Sequence, residues 1–154
     1  MTIGEEDRRI LRRLQSDGRI SNADLAEAAG MSASPCWRRV RRLEQSGVIR
    51  GYGAELDRRK LGLGVLVYVA IELDPHSDDI VGAFERRVAA LPEVIVCHSV
   101  AGGTDYLLTV VSRDLDSYAV FSATVLRRLP GLKAMTTNFA LKEVKSYAGL
   151  PLDL

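Results

Sequence analysis

Four arginines fall within five consecutive positions, Arg38-Arg39-Val40-Arg41-Arg42, just after Ser32-Ala33-Ser34-Pro35. Guanidinium groups at that density suit phosphates and base edges of nucleic acid. They equally suit ion pairing on a solvated helix face. A second candidate is Ala101-Gly102-Gly103-Thr104-Asp105. Two glycines there suffice for a hairpin turn. They also let bare backbone amides approach a carboxylate, with Asp105 as acceptor for an ammonium group, a combination that fits a free amino acid. A third is Cys97-His98, but neighbours in a strand point to opposite faces, so they form no nucleophile–base pair. His76 follows Pro75 in an expected exposed turn. With two histidines and no carboxylate pair at a defined spacing, the reading is of no catalytic residue, no metal site, no cofactor and no enzyme.

The elements that would position the arginines are legible. Ile10, Leu11 and Leu14 form one apolar stripe of a helix from Glu5 to Ser16, which Asp17-Gly18 ends. Ser21 starts a second helix, with Asp24 three residues on as in a capping box and Ile20 as a staple. Leu25, Ala26 and Ala29 give it a narrow apolar face, and Gly30 permits the tight turn after it. A third helix starts at Ser32 or Ser34, with Pro35 tolerable in its first turn. At about 100° per residue, Cys36, Val40 and Leu43 share the buried sector. Ser34, Arg38, Arg41 and Arg42 lie broadly opposite, with Trp37 and Arg39 flanking. Val48 to Gly53 reads as a short strand or wing in which Arg50 reaches a phosphate. This order is that of a winged helix-turn-helix, whose basic helix enters the DNA major groove. Ser34, Trp37 and Arg38 are the expected base contacts. Arg39, Arg41, Arg42 and Arg50 complete the expected DNA-binding set.

Charge and composition agree with two parts. Up to Lys60 there are 13 Lys and Arg against 9 Asp and Glu, and from Leu61 onward 8 against 11. The basic front fits nucleic-acid contact. A hydrophobic content of 47% excludes bulk disorder, and no apolar run approaches the roughly 18 residues of a membrane span. Cys36 and Cys97 lack metal spacing and read as two buried thiols, and the start MTIGEEDRR is unlike a signal peptide, so a cytoplasmic protein without membrane contact is expected.

After a linker with two glycines at 56–64, the pattern runs strand Val65 to Leu73, helix Ser77 to Leu91, strands Val94 to Ala101 and Tyr106 to Ser112, helix Asp116 to Leu129 and strand Leu132 to Val144. That βαββαβ order predicts an antiparallel four-stranded sheet with both helices on one face, a ferredoxin-like sandwich. The whole chain is thus expected to be α+β. Val65, Val67, Val69, Ile71 and Leu73 share one face, yet Leu66, Tyr68 and Ala70 on the other are apolar too. A bare apolar face implies a second subunit across a two-fold axis.

These residues carry a resemblance. The stretch DGRISNADLAEAAGMSASPCWRRVRRLEQSGVIRGY, the G-x-x-D-Y-L-L of Gly102 to Leu108, LRRLPG and the closing LKEVK resemble the Lrp/AsnC (feast/famine) family of transcription regulators. The resemblance spans nearly the whole chain. It implies a DNA-binding domain at 1–55, a linker at 56–64, and an effector-binding and oligomerisation domain at 65–154. It further implies sequence-specific binding of double-stranded DNA, tuned by an amino acid, in a homodimer that assembles to a higher oligomer, commonly an octamer. By matching position, Gly102, Gly103, Thr104 and Asp105 correspond to the family's effector loop, and Thr136, Thr137 and Asn138 to a last-strand segment facing effector in some members. The family often has an acidic or polar residue where this chain has Gly103. The other reading is a nucleoid-type architectural protein without effector, since phosphate contacts alone carry no sequence information.

Overall fold

The computed structural model describes residues 3–75 and 77–152, so the expectation for His76 lies outside the described residues. The chain forms two compact units: residues up to Glu55 together with those from Val144 onward, and Leu56–Glu143.

In the first unit, α1 (Glu5–Ser16), α2 (Asn22–Ala28) and α3 (Ala33–Gln45) enclose a core of Ile10, Leu11, Leu25, Ala26, Ala29, Cys36 and Leu43. Ala26 and Ala29 give α2 no bulk on its inner face, which suits close packing. Ser21 Oγ caps α2 by accepting the Asp24 N–H at 3.1 Å. The Asp24 carboxylate answers by accepting the Ser21 hydroxyl at 2.7 Å, not the backbone N–H of a full capping box. Gly30 (φ 69°) closes the helix: its N–H donates to Glu27 O and that of Met31 to Ala26 O, a Schellman ending. Ser32 is the N-cap of α3.

The segment after α3 is not a strand. Among the described residues no strand lies between Gln45 and Val65, because Val48 to Gly53 finds no second strand to pair with. Tyr52 instead donates its hydroxyl to Glu44 Oε1 of α3 at 3.0 Å. Residues 144–152 pack on the three helices: the Gln15 amide bonds the backbone of Leu150 both ways, and Leu152 joins the three-helix core.

In the second unit, the expected linker is a folded turn. Asp57 Oδ1 accepts the N–H groups of Arg59 (2.9 Å) and Lys60 (3.3 Å), and Arg58 donates to the carbonyls of Leu63 and Gly64. Strands β1 (Val65–Leu73), β2 (Val94–Ser99), β3 (Tyr106–Ser112) and β4 (Leu132–Phe139) form one antiparallel sheet in the order β2-β3-β1-β4. Helices α4 (Asp78–Ala89) and α5 (Leu115–Thr124) cover one face. There Phe84, Val88, Tyr118 and Phe121 pack on Val67, Val69, Ile71 and Leu73. This is the expected ferredoxin-like arrangement.

Two element ends fall five residues short of the sequence reading, and one cysteine differs in burial. β4 stops at Phe139, five residues early: Ala140 donates to Leu66 O at the start of β1, and beyond it no partner strand remains. α5 ends at Thr124 and a 3-10 turn, Leu126–Arg128, follows, since Leu129 before Pro130 must be extended (ψ 141°). Cys97 is exposed on edge strand β2, while Cys36 is buried as expected; both are free thiols.

Candidate nucleic-acid interface and effector loop

The exposed side of α3 carries Ser34, Trp37, Arg38 and Arg41, and Arg50 follows in the extended segment, also exposed. Trp37 is 51% exposed, and the Arg41 guanidinium lies 5.1 Å from its ring centroid, a cation–π contact that orients the guanidinium along the helix surface. A cleft of about 200 Å³ runs beside them, walled by Leu14, Leu25, Trp37, Arg41, Glu44 and Tyr52.

Arg39 and Arg42 are drawn instead into ion pairs with the first turn of α1. Arg42 Nη2 donates to both oxygens of Asp7, at 2.8 and 2.7 Å, and Arg39 Nη1 donates to Asp7 Oδ1 at 3.1 Å. Arg39 also pairs with Glu6. Face arithmetic fixes where a side chain leaves the helix; a long flexible stem then lets its charge curl back to a carboxylate. Asp7 is the residue that sequence reasoning missed. It is 1% exposed, and its second oxygen also takes the Gly4 N–H at 3.4 Å. The signal was present: Asp7 stands three and four positions before Ile10 and Leu11, inside the apolar stripe. A carboxylate buried there demands cationic partners.

At the other candidate site, Gly102 and Gly103 form an exposed tip, and a Cβ built on either meets no atom within 4 Å. Thr104 and Asp105 face inward from that tip. The Thr104 hydroxyl donates to Ile71 O at 2.6 Å, the Asp105 N–H donates to the same carbonyl at 2.9 Å, and Asp105 Oδ2 accepts the Leu73 N–H at 2.8 Å. Both residues therefore anchor the hairpin to the end of β1. One oxygen of Asp105 is thereby engaged by the backbone.

The β4 segment is split by the pleat. Thr136 pairs with Ala70, whose other neighbour is Leu107, and Asn138 pairs with Tyr68, whose other neighbour is Thr109. Both lie on the face away from the helices, where Tyr68 and Leu107 are 49% and 43% exposed. Thr137 turns to the helix side, where its hydroxyl meets that of Tyr118 at 3.0 Å. Thr137 cannot share a face with Thr136 and Asn138.

Cys97 also lies on the helix side, and its thiol pKa is pushed up by burial and by the nearby Glu85 carboxylate. Tyr106 donates its hydroxyl to Glu85 Oε1 at 2.7 Å, and burial with that bond raises its pKa to about 12. Among the described residues no group of three His, Cys, Asp or Glu side chains could hold a metal ion, and no helix is long and apolar enough to cross a membrane.

The two parts of the chain match two family models: winged helix-turn-helix DNA-binding over residues 7–50, and the Lrp/AsnC ligand binding domain over residues 66–150. The chain belongs to the Lrp/AsnC family. It is accordingly a transcriptional regulator with a DNA-binding helix-turn-helix and a ligand-binding domain. Among relatives, it is 40% identical to the Bkd operon transcriptional regulator of Pseudomonas aeruginosa over 146 residues, 95% of each chain. It is 42% identical to the leucine-responsive regulatory protein of Escherichia coli over 139 residues, 90% of this chain and 85% of that one. Among solved structures, a transcriptional regulator of Neisseria meningitidis in complex with L-methionine superposes with a TM-score of 0.94 at 34% identity, covering 99% of this chain and 98% of that one.

Proposed function

We propose that this Lrp/AsnC regulator reads double-stranded DNA through Ser34, Trp37, Arg38, Arg41 and Arg50, and that an amino acid binding its sheet unit tunes that reading. The observation that carries the DNA assignment is the exposed Trp37–Arg41 stack beside Arg38 on α3. In this reading Arg38 pairs with a base edge, and Arg50 with a phosphate. The L-methionine complex of the Neisseria relative supports an amino-acid effector. Its site in this chain is assigned to the exposed amides of Gly102 and Gly103 and to Thr136 and Asn138 on the open face, with Thr104 and Asp105 setting the loop's shape. The exposed Tyr68 and Leu107 on that face support a homodimer, from which a higher oligomer, an octamer in the family pattern, is built. The protein works in the cytoplasm, as a regulator and not as an enzyme.

Calorimetry with the twenty amino acids tests the effector. At least one should bind, with its heat abolished by Gly103→Val and Thr136→Val in proteins that keep their melting temperature; no heat with any of the twenty rejects amino-acid sensing. Because binding linkage is reciprocal, DNA must change the affinity for that amino acid by the factor by which the amino acid changes affinity for DNA. Sedimentation velocity gives the assembly, and a monomer at micromolar concentration would remove the dimer. A nucleoid-type architectural role is separated by comparing selected and random duplexes: equal affinity for both favours it.

A further inference from the structure

Among the described residues, Asp7 is the one acid whose carboxylate is fully buried and held by two arginines of the helix assigned to DNA. Acids in the first turn of α1 complement the helix dipole without needing any partner from α3, so N-terminal placement does not explain the cluster. Its effect is a division of labour among four arginines. Arg39 and Arg42 are tied to Glu6 and Asp7, whereas Arg38 and Arg41 make no ion pair among the described residues. Arg42 keeps 49% of its side chain exposed, so its tie to Asp7, not depth, keeps it from solvent-borne anions. A phosphate that captured Arg42 would strip a buried carboxylate of its closest partner, which makes that exchange uphill.

Phosphate contacts raise affinity for every sequence alike, while base contacts separate one sequence from another. We propose that Asp7 is a specificity-determining residue: by holding Arg39 and Arg42 it withholds two guanidinium groups from the phosphate backbone and leaves recognition to Arg38 and Arg41. Asp7 itself touches no DNA and acts by positioning. The inference rests on α3 being the DNA-contacting helix.

The test uses the full chain and fluorescence anisotropy from 50 to 300 mM KCl, on a random 30-base-pair duplex and on a duplex enriched from a random pool by the unmodified protein. Arg38→Gln and Arg41→Gln should each narrow the affinity ratio between the enriched and the random duplex, by about tenfold. Arg39→Gln and Arg42→Gln should leave both that ratio and the slope of log K against log[salt] unchanged. Asp7→Asn, in protein shown by circular dichroism to be folded, should steepen the random-duplex slope by about 0.9 or more and narrow the affinity ratio between the two duplexes. Should Asp7→Asn not fold, the two arginine variants decide alone. A drop in slope of about 0.9 for Arg42→Gln would mean that Arg42 bridges Asp7 and a phosphate, and would overturn the proposal. An unchanged random-duplex slope for folded Asp7→Asn would do the same. If no α3 variant changes either the slope or the affinity ratio, it is the assignment of α3 to DNA that fails.

Discussion

Asp7 holds two elements together with one carboxylate, and single substitutions there should be costly. Removing one partner of a buried ion pair strands the other charge, a loss of about 3–5 kcal/mol in fully buried cases. Arg39 and Arg42 are partly exposed and can rehydrate, so Asp7→Ala is expected at the lower end, about 3 kcal/mol, by urea denaturation followed at Trp37. Asp105 is tied to the backbone in the same spirit. Asp105→Ala leaves the Leu73 N–H without its acceptor and should cost about 1–3 kcal/mol. Loss of effector binding in that variant would therefore say nothing about direct contact, which is why Gly103 and Thr136 are the better probes. Legibility at this scale followed chain length and flexibility. Short apolar side chains such as Cys36 and Leu43 went where helical periodicity put them, both fully buried. Arg42, with several rotatable bonds, curled back to Asp7 instead.

At the scale of elements, helix and strand starts were legible because local chemistry sets them: Ser21 caps α2, and β1 and β3 have the limits their apolar runs suggested. Ends that depend on a partner were not. β4 stops where its antiparallel partner β1 begins, and among the described residues Val48 to Gly53 is no strand because no other strand lies alongside it. The turn into β4 illustrates a constraint legible only in three dimensions. Gly131 has φ 68°, and a Cβ there would stand 2.2 Å from Ile80 Cγ2 of α4. Gly131→Ala should destabilise by more than about 2 kcal/mol, combining left-handed strain with overpacking. Ile80→Ala in the same chain should recover part of that cost, measured by thermal melting. The contact between α4 and β3 carries a pH dependence. Tyr106 titrates at about 12 in the folded chain and at about 10 when unfolded. Its protonated phenol thus contributes stability that is complete below pH 10 and lost as pH rises from about 10 to about 12. The melting temperature should fall through that window, and Tyr106→Phe should flatten the fall.

For the molecule as a whole, the first unit is built from two separated stretches of sequence. Leu152 lies against the three-helix core, and Gln15 holds the backbone of Leu150. Truncation after Glu143 should therefore lower the melting temperature of the helical unit while leaving that of the sheet unit nearly unchanged, by differential scanning calorimetry. No periodicity in 144–152 announced this, since its binding to the core runs through backbone amides and one leucine. The two cysteines have a practical consequence for counting chains. Cys36 is sealed in a core and Cys97 stands on an open strand edge, so each native chain should accept one maleimide and a second only when unfolded. Its raised pKa makes the reaction slow near neutrality and faster in mild base. A dye attached there turns every subunit into one photobleaching step, and the number of steps per particle reads out how many copies stand on a single piece of DNA.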